Sequence, residues 1–185
     1  GFALMPLSPD TLLYGVLGDG VYRSLDGAAT WSIPNVGLTD LDVTAVVASP
    51  EFAATAYATT TGGGVFVTAD AGSTWTAQNT GITNLNIESI AIAPSNPTVI
   101  YVGSDAGEVF KSPDRGLTWL DITGDMVAAV AVNDLVVHPD SANVVYAALD
   151  DVYRIKQAGL DSVSFFPTGA TPFLVTTADL DSDSV

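Results

Sequence analysis

Apolar positions along this chain alternate in short runs, and no stretch keeps the spacing of a helix face. Gly, Pro, Asp and Asn fall between the runs, at intervals of about 8–12 positions, which predicts an all-β meander of short antiparallel strands. The pattern also repeats. Second strands are predicted around Tyr14, Tyr57, Tyr101 and Tyr146. Third strands open at Val21, Val65, Val109 and Val152, each followed by an aromatic: Tyr22, Phe66, Phe110 and Tyr153. In repeats two to four the first strand closes on a proline turn, Ser49-Pro50, Ala93-Pro94 and His138-Pro139. Repeat one is predicted to hold strands near Ala3–Leu7, Leu12–Leu17, Val21–Ser24 and Thr30–Ile33. The units cover about 2–37, 41–81, 85–124 and 130–167, and a fifth begins over 171–185 with Phe173-Leu174-Val175-Thr176 as its first strand. Self-similarity at a fixed period marks a repeat architecture.

The most regular part of each unit is an eight-residue stretch. Thr68-Ala69-Asp70-Ala71-Gly72-Ser73-Thr74-Trp75 returns as Ser112-Pro113-Asp114-Arg115-Gly116-Leu117-Thr118-Trp119. A looser copy is Ser24-Leu25-Asp26-Gly27-Ala28-Ala29-Thr30-Trp31. Aspartates and tryptophans each recur 44 residues apart, and all three tryptophans of the chain occupy this place. Apolar runs flank the stretch, so it reads as strand, turn, strand. An Asp side chain accepts bonds from backbone N–H groups of its own turn, and the leading Ser or Thr adds a second local bond. Gly72 and Gly116 supply a backbone angle that other residues resist. The tryptophan carries enough apolar area to clamp the hairpin on its neighbour. The looser copy has its glycine one place early, at Gly27, with Ala28 in the usual glycine position, and is expected to be distorted. The fourth unit lacks the stretch, and Phe165 or Phe166 is expected to stand in for the tryptophan.

The pattern Ser/Thr-x-Asp-x-Gly-x-Thr-Trp resembles the Asp-box, or BNR repeat, of sialidases, xyloglucan-cleaving hydrolases, sortilin-type receptors and a photosystem assembly factor. That resemblance implies a β-propeller of four-stranded antiparallel blades, four of them recognisable and a fifth begun, as part of a larger ring. It implies that the boxes join third to fourth strands on the outer part of the ring. Ser24, Asp26, Trp31, Thr68, Asp70, Gly72, Trp75, Ser112, Asp114, Gly116 and Trp119 are then structural. The stretch from Phe166-Pro167-Thr168-Gly169 through Asp179-Leu180-Asp181-Ser182-Asp183 resembles the start of an FG-GAP or VCBS repeat, a propeller unit with a calcium loop. Asp179, Asp181 and Asp183 are therefore candidate calcium ligands, since alternating aspartates place hard oxygens on one side of a loop. No other cofactor is expected.

Charge narrows the partners. The net charge is −16, with 21 acids, of which only Glu51, Glu88 and Glu108 are Glu, against five Lys and Arg. Phosphate backbones and anionic membrane surfaces are repelled, so nucleic acid is not an expected partner. No run approaches the ~18 apolar residues of a membrane span. There is no basic start followed by an apolar core and no initial Met, which predicts a mature, trimmed or partial chain. The expected location is extracellular, on the cell surface or in the periplasm.

In a four-stranded meander successive loops alternate between two faces. The repeated turns and the proline turns share one. The second-to-third strand turns and the connections between units share the other, which collects Asp19, Asp40, Asp42, Asp105, Asp121, Asp125, Asp150 and Asp151. These form a candidate binding face for a protein or glycan. Catalytic sets are poorly supplied. Asp19 lies in Leu17-Gly18-Asp19-Gly20, loosely similar to the turn where xyloglucan-cleaving hydrolases carry an acid, but the Asp-Ile-Gly-Gly order is missing. Three arginines, Arg23, Arg115 and Arg154, are too scattered for the sialidase triad. His138, the only histidine, stands where other repeats have Ala93 and Ser49; with no Cys it cannot build a common zinc site. The reading is a non-catalytic binding or scaffolding module. The alternatives are a carbohydrate-active domain using paired Asp, and a structural subunit whose edges at Phe2–Leu7 and Phe173–Val175 pair with other chains.

Overall fold

A computed structural model describes residues 1–124, 130–156 and 163–166. Its described strands run in chain order as four antiparallel sheets, each a blade. Blade one holds β1 (Phe2–Leu4), β2 (Leu12–Val16) and β3 (Gly20–Ser24). Blade two holds β4 (Val43–Ala48), β5 (Ala56–Thr60), β6 (Gly64–Thr68) and β7 (Thr76–Ala77). Blade three holds β8 (Ile87–Ile92), β9 (Ile100–Ser104), β10 (Val109–Ser112) and β11 (Leu120–Asp121). Blade four holds β12 (Asp134–Val137), β13 (Val144–Ala148), β14 (Val152–Lys156) and β15 (Val163–Phe166). The first strands β1, β4, β8 and β12 stand next to one another, so the blades succeed each other around their inner edges.

Blade one differs from expectation. In place of a fourth strand over Thr30–Ile33 it has a single bridge, in which Arg23 and Ser32 exchange two N–H···O bonds of 2.8 Å. Its first strand also ends at Leu4 and not Leu7. The strand β15 is present in blade four, while the side chains of Phe165 and Phe166 and the fifth unit over 171–185 lie outside the described residues.

Register corrects one predicted position. Leu13 pairs with Arg23, as Tyr57 pairs with Val67, Tyr101 with Lys111 and Tyr146 with Arg154. The repeat partner of those three tyrosines is Leu13, and Tyr14 sits one place on, opposite Tyr22, where blades two and three have Ala58 and Val102. A one-residue slip in a strand puts the side chain on the other face of the sheet. Leu13, Tyr57 and Tyr101 thus face the following blade, where the Tyr57 hydroxyl donates to the Arg115 carbonyl (3.2 Å) and Tyr101 to that of Ala142 (2.6 Å). Burial raises both phenol pKa values, that of Tyr57 to about 12, so both remain donors at neutral pH.

The core is the series of contacts between blades. Leu13 and Val21 of blade one meet Val46, Ala58, Phe66 and Trp75 of blade two. Tyr57 and Val65 meet Ile90, Val102, Phe110 and Trp119, and Tyr101 and Val109 meet Leu135, Ala147 and Tyr153. Each fully buried side chain of this size contributes about 1.5–3 kcal/mol.

A second repeated element, not anticipated from the sequence, fastens the connections. Asn35 accepts from Val21 N–H (2.9 Å) and donates to the Asp19 carbonyl (2.9 Å). Asn79 does the same for Val65 and Gly63, both at 2.8 Å, and Thr123 accepts from Val109 (3.1 Å). Two residues beyond each Asn, Gly37 and Gly81 have φ of 84° and 102° and lie against the carbonyls of Trp75 and Trp119; a Cβ at either would sit 2.1 Å from that oxygen. Gly37→Ala is expected to lower stability by at least about 2 kcal/mol, from backbone strain and displacement of the Trp75 carbonyl. Gly62→Ala, whose Cβ would meet only the flexible end of Asp40 at 3.1 Å, should change it little. Urea midpoints of the two variants check this.

Candidate functional site

The three repeated turns share one hydrogen-bond plan. In blade two the Thr68 hydroxyl donates to Asp70 Oδ1 (2.8 Å) and accepts from Gly72 N–H (2.8 Å). Asp70 then accepts from Thr74 twice, N–H to Oδ1 at 2.8 Å and hydroxyl to Oδ2 at 2.7 Å. Ser112, Asp114, Gly116 and Thr118 repeat this in blade three at 2.6–2.9 Å. So do Ser24, Asp26, Ala28 and Thr30 in blade one, at the same distances. The expected distortion of the first copy is absent. Every copy places two successive residues at positive φ: Gly27 and Ala28 (67° and 73°), Ala71 and Gly72 (56° and 82°), Arg115 and Gly116 (64° and 87°). Moving the glycine one place only changes which of the two positions carries the strain of a Cβ. Each turn also docks on its own blade, Gly27 N–H to Asp10, Ala71 to Ala54 and Arg115 to Thr98 at 2.8–2.9 Å, which puts these turns and the proline turns on one face.

The tryptophans diverge. Trp75 and Trp119 are buried against the preceding blade, and Trp119 Nε1 donates to the Gln78 carbonyl (2.9 Å). Trp75 Nε1 is buried without an acceptor, and the blade before it has only a bridge in place of a fourth strand. Trp31, on blade one, is exposed, and none of the described blades packs over it as the clamp expected of it would require.

The opposite face carries the acids. Gly20 N–H donates to the Leu41 carbonyl, Thr61 to Asp42, Gly64 to Leu85 and Asp105 to Asn86, at 3.0–3.1 Å, so second-to-third strand turns and connections between blades form one surface. Much of its carboxylate capacity is already engaged. Asp40 Oδ1 accepts from Asp42 N–H (3.0 Å), and Asp121 Oδ1 accepts from the N–H and hydroxyl of Thr123. Asp19 Oδ2 accepts from the Tyr22 hydroxyl at 3.4 Å, and partial desolvation, followed by that carboxylate, raises the Tyr22 pKa. Asp150 and Asp151 lie in the β13–β14 turn, and Asp42 is exposed beside Gly18. Asp125 and the calcium candidates Asp179, Asp181 and Asp183 lie outside the described residues. Among the described residues no three His, Cys, Asp or Glu side chains gather in a metal-binding arrangement. His138 belongs to its turn, where Nδ1 accepts from Asp140 N–H (3.1 Å).

One cluster escaped sequence reasoning. Asn84 Nδ2 donates to Asp105 Oδ1 and to Glu108 Oε2, each at 2.9 Å, while Asn86 Nδ2 donates to Asp105 Oδ2 at 2.9 Å. Because one nitrogen serves both, the two carboxylate oxygens lie within about 6 Å of each other. The available signal was positional: Glu108 stands where the equivalent turns carry Gly20 and Gly64.

No family model and no curated protein matches the chain. Solved structures do. The chain superposes on an ancestral GH74 enzyme with a TM-score of 0.72 at 22% identity, covering 84% of this chain and 22% of that one. It superposes on YCF48 bound to D1 peptide with a TM-score of 0.64 at 12% identity, covering 89% and 53%. The extracellular domain of a one-component system from B. thetaiotaomicron gives 0.67 at 16%, covering 89% and 21%. The chain spans about a fifth to a half of the length of these neighbours. With four antiparallel meander sheets packed face to face, it has the β-propeller fold.

Two predictions follow from the turns. Bonds from Thr30 and Ser24 hold the Asp26 carboxyl at about 2. Slight burial of Asp70 and Asp114 acts upward but is outweighed by bonds from Thr74 and Thr118, so both are also lowered. A carboxyl lowered on folding stabilises the fold fully above its unfolded value of 3.8 and loses that contribution as pH falls through about 2. Thermal stability should therefore drop between pH 4 and pH 2. Asp70→Ala, costing about 1–3 kcal/mol at neutral pH, should flatten part of that acid limb in melts taken across the range. Ala28→Gly should instead raise stability by about 0.5–1 kcal/mol, read from the urea midpoint, because it relieves a φ of 73°.

Proposed function

We propose that this chain is a binding or scaffolding module of the Asp-box type, which engages a protein or glycan through its acid-rich loop face outside the cytoplasm. The observation that carries this is the surface formed by the β2–β3, β5–β6, β9–β10 and β13–β14 turns with the connections between blades, holding Asp19, Asp40, Asp42, Asp105, Asp121, Asp150 and Asp151. Its carboxylates are held in place by amides, hydroxyls and turn N–H groups, as a preorganised recognition surface requires. Two of the structural neighbours support it: one propeller holds a peptide, and another is an extracellular domain. A face of this sign favours cationic segments and divalent cations; for Asp179, Asp181 and Asp183 calcium is the ion proposed.

A second reading rests on the Asp105–Glu108 pair. Retaining glycosidases use two carboxyl groups about 5–5.5 Å apart, a spacing the shared Asn84 amide allows. That one structural neighbour is an ancestral GH74 enzyme speaks for this reading. It needs one carboxylate free to act as an acid, whereas Glu108 Oε2 also accepts from the Ser104 hydroxyl and Asp105 spans two asparagines. The binding reading needs no such freedom and is preferred.

Binding of a lysine-rich peptide and of a glycan array, measured at low and high salt, tests the proposal alongside a panel of polysaccharide substrates. For the binding module, affinity for the peptide falls several-fold with salt and with Asp19→Asn plus Asp42→Asn. Turnover of any glycan that is lost in Asp105→Asn or Glu108→Gln would overturn it in favour of the hydrolase.

A further inference from the structure

The β5–β6 turn, on the acid-rich face between blades two and three, holds a glycine that the fold does not require. Gly64 stands at φ 79°, and a Cβ at Gly63 would sit 2.8 Å from Asp40 Cβ and from the Phe66 ring. Gly62 has neither constraint. Its φ is not positive, and a Cβ there would meet only Asp40 Oδ2, at 3.1 Å. A glycine of this kind leaves the backbone bare for the close approach of another group.

The connections on either side build the surroundings of this crest. Thr61 N–H donates to the Asp42 carbonyl (3.1 Å), and Thr61 also bridges Asn86, so residues 41–44 and 85–88 flank the turn. The Thr44 hydroxyl donates to the Ile87 carbonyl (2.6 Å) and ties the two flanks together. Thr44 and Glu88 are the extra residues of two β-bulges, which re-aim a side chain away from the alternation of its strand. Thr44, Thr61 and Glu88 share the lining of one open hollow. The carboxylates of Asp42 and Glu88, unlike those of Asp19, Asp40, Asp105 and Asp121, make no hydrogen bond or ion pair among the described residues. Leu41 and Leu85, one repeat apart, stand 40% and 38% exposed. Each flank thus offers one exposed leucine and one uncommitted carboxylate.

We propose, resting on the reading of this face as a binding surface, that the crest seats an extended polypeptide segment bearing both basic and apolar side chains. The partner's backbone crosses Gly62. Successive side chains of an extended chain point to opposite sides, so each flank receives one basic and one apolar residue within about four positions of the partner. Lys or Arg meets Asp42 and Glu88, and apolar side chains meet Leu41 and Leu85. Charge complementarity selects the partner's sign, since this chain carries a net −16. The leucines select a peptide over a glycan: they offer no donor or acceptor to sugar hydroxyls, whereas apolar side chains and the aliphatic stems of Lys and Arg lie along them.

Isothermal titration calorimetry tests this on the whole chain, with a Lys-Lys-Leu-Leu peptide flanked by Gly and Ser. Lys-Lys-Ser-Ser and Glu-Glu-Leu-Leu peptides in the same flanks are the controls. The first peptide should bind about tenfold or more tighter than either control. Gly62→Gln, which covers the crest, and Leu41→Ser with Leu85→Ser should each weaken it about tenfold. Circular dichroism melts should stay close to wild type, because all three positions are exposed. Asp42→Asn with Glu88→Gln should weaken it and flatten its dependence on salt. Equal binding of the Lys-Lys-Leu-Leu and Lys-Lys-Ser-Ser peptides, or affinity that survives Gly62→Gln, overturns the inference. If such binding still falls with salt and with Asp19→Asn plus Asp42→Asn, the acid-rich face stands as a binding surface and only this seat is lost. Absence of binding by either lysine peptide at low salt overturns both.

Discussion

A carboxylate that accepts three bonds inside its own turn is what the blades depend on. Asp26, Asp70 and Asp114 each satisfy the hydroxyl two residues before them and the N–H and hydroxyl four residues after them. The turn then has no freedom to flare, and the residue that follows it, Trp75 or Trp119, is delivered to the previous blade. The same turns donate back to the proline turn of their own blade, so the outer edge of each sheet is fastened at both ends. The cost is two successive residues in the left-handed region, one of which always carries a Cβ. Such strain is tolerated where neighbouring bonds over-determine the geometry.

The second fastening works from the opposite face. Asn35 and Asn79 bridge the start of a third strand to the carbonyl of the turn before it, and Gly37 and Gly81 let the chain pass within contact of a tryptophan carbonyl in the next blade. Turn carboxylates hold a blade together, whereas the Asn and Gly pairs set one blade against the next. Acids on that face are largely drawn into the same local work, which makes the surface rigid as well as charged. A rigid, negatively charged loop surface suits recognition better than proton transfer, because its carboxylates are already committed as acceptors.

The repeats fill one plan with different residues. Blade one holds a single bridge where the other blades have a fourth strand, and carries Phe2 and Tyr14 where blade two has Val46 and Ala58. Blade four keeps the second-strand tyrosine paired with a basic residue, as blade three does. What differs along the chain is how each repeat fills a constant plan, and not the plan.

The sequence by itself determined the period, the strand order, the three turns and their donor–acceptor logic, because these arise from residues at most a few positions apart. It also carried the Asn-x-Gly signal at 44-residue spacing, legible once its geometry is known. Tertiary structure decided the rest. Whether Leu13 or Tyr14 is the inward residue turns on cross-strand register, since both are apolar and a slip of one reverses the face. That Trp75 and Trp119 clamp follows from the blade packed in front of each, which no local pattern encodes. The meeting of Asp105 and Glu108 on one asparagine needed the connection before β8 folded against the turn after β9, more than 20 residues away, and only packing brings those groups together.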